Sequence, residues 1–232
     1  MIRTGQTQIK TVAFLLAAAV VMFWTQPAHA HIEAGKAAGF ANGFAHPWSG
    51  WDHILAMVAV GLWGAQLGAP AVWLLPVVFP MIMSVGGFLG LIGMRFPGGN
   101  TTIEVGIALS AVLLGAMVLG EVKSKSKPFL VFAAVLVGAF GLFHGHAHGS
   151  EMEEGQSALL YSIGFVIATG TLHGCGIALG LIHRWPAGRL VLRGAGAVIV
   201  LGGLYFLWNA IHEHSQPATA LAIIKNIPGA LP

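Results

Sequence analysis

The sequence predicts an all-α, polytopic membrane protein with six transmembrane helices after a cleaved N-terminal signal peptide. Three observations carry that expectation. Of 232 residues, 56% are hydrophobic and 8% charged, against roughly 25% charged in an ordinary soluble domain. The apolar residues gather in six runs, at 50–69, 71–94, 102–120, 128–145, 157–182 and 190–211, each near the roughly 20 residues with which a helix crosses a bilayer. Open strands are excluded there, because lipid leaves their backbone groups unpaired. Against so few other polar groups stand 11 histidines, and these direct the search for a site.

Residues 1–30 hold Arg3 and Lys10, an apolar run from Thr11 to Trp24, and then Gln26-Pro27-Ala28-His29-Ala30. That order is a secretory signal peptide with an Ala-x-Ala cleavage site after Ala30. The run is too short to span, and Pro27 stops the helix where a span would continue. The rest, 31–232, reads as a single six-helix transmembrane domain whose mature N-terminus lies outside the cytoplasm. Before the first span, Pro47 and Gly50 interrupt any helix running in from Gly39 and predict a broken or re-entrant element. The second to sixth runs follow with short connections. Lys123, Lys125, Lys127, Arg184, Arg189 and Arg193 then fall on one side, and Lys36, Arg95 and Lys225 on the other, an asymmetry that places the first set in the cytoplasm. The tail from Pro217 to Pro232 reads as an outer-surface segment. Small residues four apart, which let helices approach closely in lipid, occur at Gly64/Gly68, Gly86/Gly90, Gly141/Gly145, Gly170/Gly174 and Gly176/Gly180.

Several function classes lose support. Setting aside Arg3 and Lys10 leaves nine basic against eight acidic residues, a net charge of +1, too little to favour nucleic acid. The lone Cys175 forms no internal disulfide. No phosphate-binding P-loop is present, and no HExxH, GxSxG or serine–histidine–aspartate pattern points to an enzyme.

The histidines form two clusters. In His46-Pro47-Trp48-Ser49-Gly50-Trp51-Asp52-His53, a carboxylate beside an imidazole at a span's mouth is costly unless paired or solvated. In Phe143-His144-Gly145-His146-Ala147-His148-Gly149-Ser150-Glu151, a continuing helix puts His144, His148 and Glu151 on one face, with His146 pointing elsewhere. Glu153 and Glu154 add negative potential at the approach. Deeper in the fifth span, His173 shares a narrow polar stripe with Ser162 and Thr169. Imidazoles with carboxylates suit zinc, copper, nickel or cobalt better than magnesium or calcium. The candidate metal set is therefore His46, Asp52, His53, His144, His146, His148, Glu151 and His173. Ligands that thin out with depth favour conduction, since tight binding throughout would trap an ion.

Two strings, His-x5-Asp-His from His46 to His53 and Phe-His-Gly-x-Ala-His-Gly-x-Glu from Phe143 to Glu151, resemble the HupE/UreJ family of small membrane proteins. The resemblance implies a permease in the bacterial inner membrane that imports nickel, or cobalt, from periplasm to cytoplasm for hydrogenase or urease maturation. It further implies transport residues at His46, Asp52, His53, His144, His148 and Glu151. The metal is then the transported substrate, not a permanently bound cofactor, and the partners are that ion and the lipid bilayer. Oligomeric state is left open, a homo-oligomer included. The alternatives are an intramembrane haem- or metal-binding oxidoreductase, or a metal-binding accessory protein that does not transport. A Soret band in the visible spectrum would favour haem.

Overall fold

The computed structural model describes residues 36–152 and 155–213. The expected signal peptide, the tail, and Glu153 and Glu154 lie outside the described residues. Among the described residues every regular element is helical: α1 (Lys36–Ser49), α2 (Trp51–Leu67), α3 (Ala71–Leu91), α4 (Asn100–Leu119), α5 (Lys127–Ser150), α6 (Ala158–Gly180), a 3-10 turn (Leu181–Arg184) and α7 (Pro186–Glu213). All six apolar runs are helices. Five of them, α3 to α7, are long and apolar enough to cross a membrane, and α2, at 17 residues, is shorter. The chain is thus a multi-pass helical membrane protein. Large apolar side chains face outward, Leu190 at 74% and Trp73 at 69% exposure among them, as lipid permits and water does not.

Helix α2 is the centre of the bundle. From Ile54 to Gln66 it is buried on nearly every side and packs against α3, α4, α6 and α7. A helix that is apolar all round belongs in a core, and its neighbours here are protein, so it need not match the bilayer in length. The other helices bury narrower stripes. On α3 these are Ala71, Leu75, Phe79, Met83, Gly86 and Gly90, about one residue per turn.

Glycines set the pairings. A side chain on Gly86 would overlap the Leu142 carbonyl, and one on Gly145 would overlap the Met83 carbonyl, so α3 and α5 lie parallel at close approach. In the same way α1 and α2 run one after the other alongside α6: Gly43 meets the backbone of Tyr161, and Gly61 meets that of His173 and Gly176. Helices α4 and α7 pack antiparallel through Gly115, Gly196 and Gly203. Of the small-residue pairs in the sequence, Gly86/Gly90, Gly141/Gly145 and Gly176/Gly180 occupy such contacts. Gly170 and Gly174 have open space instead.

The expected interruption before α2 is present, with one difference. Pro47 is accommodated in the last turn of α1, and the break comes at Gly50, whose backbone is extended (φ −111°, ψ 119°). Since α1 borders Ser157 to Gly164 and α2 borders His173 to Gly180, this break lies beside the middle of α6. Ser126 and Ser157 start α5 and α6 by accepting the amide N–H groups of Phe129 and Leu160 at 3.4 Å, the usual role of serine at a helix start. The α4–α5 connection with Lys123 and Lys125 and the α6–α7 junction with Arg184 lie at one end of the bundle. Trp63 fastens α2 there, its indole N–H donating to the Val122 carbonyl at 2.8 Å. Both histidine motifs are at the other end.

Candidate metal centre

The site is assembled from three helices. The last turn of α1 supplies His46, the first turn of α2 supplies Asp52 and His53, and the last turns of α5 supply His144 and His148, with Glu151 as its C-cap. Helix α5 continues to Ser150, beyond the apolar run that ends near 145, and this extension aligns His144, His148 and Glu151. His148 is the hub. Its ring centroid lies 4.5 Å from that of His46, 4.5 Å from that of His53 and 4.3 Å from that of Phe165. His53 and His144 are 4.8 Å apart. Two overlapping ligand groups result, His53/His144/His148 and His46/His148/Glu151, in each of which the donor atoms lie within 4.8 Å of one another.

Hydrogen bonds assign which nitrogen is free. His53 Nδ1 lies 3.0 Å from Asp52 Oδ1; a carboxylate accepts, so Nδ1 carries the proton and Nε2, buried without a partner, keeps its lone pair. Ser110 Oγ donates to the Ile107 carbonyl at 2.5 Å and lies 2.9 Å from His144 Nε2. With its own proton spent, Ser110 accepts from Nε2–H, which leaves His144 Nδ1 as the donor atom. Both arrangements are the outer-shell partnership that orients metal-binding histidines. Neither ring nitrogen of His148 has a protein partner. Asp52→Asn would replace the carboxylate, which can only accept, by an amide that can accept or donate, so the Nδ1–H tautomer of His53 would no longer be enforced. We expect it to weaken divalent-metal binding roughly 10–100-fold, measured by titration calorimetry, with helix content unchanged. Ser110→Ala should act in the same range and Ser110→Thr should restore most of the loss; equal damage by both would count against the orienting role.

Exposure falls along the site. The side chains of Glu151, His46 and His53 are 55%, 31% and 13% exposed, whereas His148 is 4% and His144 0% exposed. The approach is therefore from Glu151 inward. His46 Nε2 lies 3.6 Å from Glu151 Oε2. Burial pushes the Glu151 carboxyl above its usual range, an effect the nearby His53 opposes and Asp52 adds to.

Other candidates stand apart. Asp52 acts through His53 and belongs to neither ligand group. His146, on the far side of α5, packs edge-on to Phe96, and its Nε2–H donates to the Met94 carbonyl at 2.6 Å, which pins the α3–α4 connection. His173 lies deeper, against Phe79. Thr169 is buried beside it on α6, whereas Ser162, two turns nearer the start of the same stripe, is exposed. The remaining motif letters are packing. Phe143 rests on Gly106 and Phe96, Ala147 is buried with Ile103 and Ile107, and Gly149 meets the Gly87 carbonyl. Gly50 leaves room for the Asp52–His53 pair, since a Cβ there would lie 2.7 Å from Asp52 Oδ1. Sequence reasoning missed Ser110, although it is the one polar residue in the stretch Ile107 to Leu114, and it missed Phe79 and Phe165, which nothing in their apolar surroundings distinguishes.

The sequence profile of the family described as HupE / UreJ protein matches residues 18–206. The chain belongs to the HupE/UreJ family. Protein HupE of Rhizobium leguminosarum bv. viciae is 43% identical over 180 residues, covering 78% of this chain and 90% of that protein. No solved structure matches. In this HupE/UreJ chain both histidine motifs fall within the matched stretch, and they are the segments that α1, α2 and α5 bring together.

Proposed function

We propose that the protein is a secondary permease that imports a divalent transition metal, nickel or alternatively cobalt, from periplasm to cytoplasm for hydrogenase or urease maturation. The observation that carries this reading is the convergence of His46, His53, His144, His148 and Glu151 from α1, α2 and α5 on two overlapping ligand groups with one shared member. Neutral imidazoles and a carboxylate suit a borderline metal, and family membership supports nickel or cobalt within that class. The orientation follows the basic connections, which places the basic end in the cytoplasm and the histidine end in the periplasm of the bacterial inner membrane. In this reading the signal peptide is removed, and α1 with α2 forms the first of six crossings as a broken helix, the kind of non-helical backbone that membranes tolerate where it lines a polar cavity.

Capture begins at His46, Glu151 and His148. Passing to His53, His144 and His148, the ion exchanges two ligands and retains one, so it is never stripped of protein donors in a single step. Rings fixed by Asp52 and Ser110 present lone pairs without rearrangement. No ATP is required: an inside-negative potential favours inward movement of a divalent ion by roughly 4–5 kcal/mol per 100 mV.

The test is flux. The full chain reconstituted in liposomes should accumulate radiolabelled nickel above empty vesicles, faster with an inside-negative potential, and cobalt should compete. Binding without flux would favour an accessory metal-binding protein, and a Soret band in the purified protein would favour the haem reading.

A further inference from the structure

Behind the two ligand groups lies a third set of polar atoms that neither group uses. His173 and Thr169 are one turn apart on the face of α6 that turns inward, and they are 1% and 0% exposed. Both ring nitrogens of His173 and the hydroxyl of Thr169 lack a hydrogen bond of standard geometry, a costly state for buried polar groups. The backbone carbonyl of Pro76 lies near enough to the His173 ring to act on it electrostatically. Sequence explains why that oxygen is available: in a regular helix it would accept from the residue four positions on, which is Pro80 and has no N–H. Two buried groups of the type that binds cations, an imidazole and a hydroxyl, thus lie one turn apart on α6 without standard partners, with the Pro76 carbonyl of α3 near the imidazole.

Its position relative to the first site is equally specific. The Phe79 ring is fully buried and its centroid lies 5.3 Å from that of His144 and 5.3 Å from that of His173. On α6, Phe165 beside His148, Thr169 and His173 follow one another at four-residue steps down a single face.

We propose that His173, Thr169 and the Pro76 carbonyl form a second, weaker divalent-cation site, the inner stage for an ion released by His53, His144 and His148. One imidazole with two neutral oxygens holds a borderline metal less tightly than three imidazoles, which is the order needed for an ion to move on. The proposal rests on the import reading for its role in transport, but not for the existence of the site.

Equilibrium dialysis of the purified full chain against radiolabelled nickel is expected to resolve a tight and a weak step. His173→Ala should remove the weak step and leave the tight one within about twofold. His148→Ala should remove the tight one. Thr169→Val, nearly the same shape, should weaken the second step several-fold without loss of folded protein, so the proposal stays testable should His173→Ala fold poorly. In liposomes His173→Ala should cut maximal flux at least tenfold with little change in half-saturating nickel. A single binding step in the unmodified chain, or an unchanged weak step in both variants, would overturn the inner site. Two steps without flux in the unmodified chain would instead overturn the import reading and leave the site standing.

Discussion

Replacing His148 by alanine is expected to abolish nickel binding at the tight site and reduce uptake to the level of empty cells. Every other ligand belongs to one group, whereas His148 belongs to both. Its loss leaves two donors in each, and among the described residues no other side chain joins either group. The loss should therefore exceed the roughly 10–100-fold expected for partners such as Asp52 and Ser110. Folding should survive, because neither His148 nitrogen has a protein hydrogen bond to lose and the helix continues through the position. His46→Ala is the informative contrast. It removes a ligand from the exposed group alone, so uptake should fall at limiting nickel and recover as nickel is raised. Calorimetry on detergent-purified protein, with uptake in the same strains, separates the two outcomes. Full nickel affinity in His148→Ala would remove the basis of the site.

The second large effect is structural. Gly145→Val should prevent accumulation of folded protein, because a Cβ at that position overlaps the Met83 carbonyl and crowds the Gly87 amide nitrogen. Overpacking that side chains can absorb costs about 1–3 kcal/mol; here the obstruction is the backbone of a parallel helix, and relief requires α3 and α5 to separate along their length. That movement would also displace His144 and His148. Gly170→Val is the control. Gly170 has nothing within 4 Å, so the same substitution should leave the size-exclusion profile of the purified protein unchanged. Similar behaviour of the two variants would show that close α3–α5 packing does not hold the bundle together.

These two glycines mark the limit of what sequence could discriminate. Gly141/Gly145 and Gly170/Gly174 are equal as patterns, because the four-residue spacing is a property of one helix and the contact a property of two. The helical elements were legible almost in full, since lipid demands long apolar runs and permits only helices across them. The histidine motifs were legible as donor types and, within α5, as a shared face. His146 and His148 show the remaining gap. Both are imidazoles in the same motif, two residues apart and so on different faces, but only the packing of α5 against α3, α4 and α6 decided that one would pin a connection and the other face the ligand groups.

The sequence by itself determined the class of molecule, its helical segments and the chemical character of its site, because composition, periodicity and donor type are local and survive without neighbours. Tertiary structure decided which donors meet. The burial of the short central α2, the tautomer that Ser110 imposes on His144, and the place of Phe79 beside both His144 and His173 all depend on groups distant in the chain becoming adjacent in space, and no one-dimensional pattern records that adjacency.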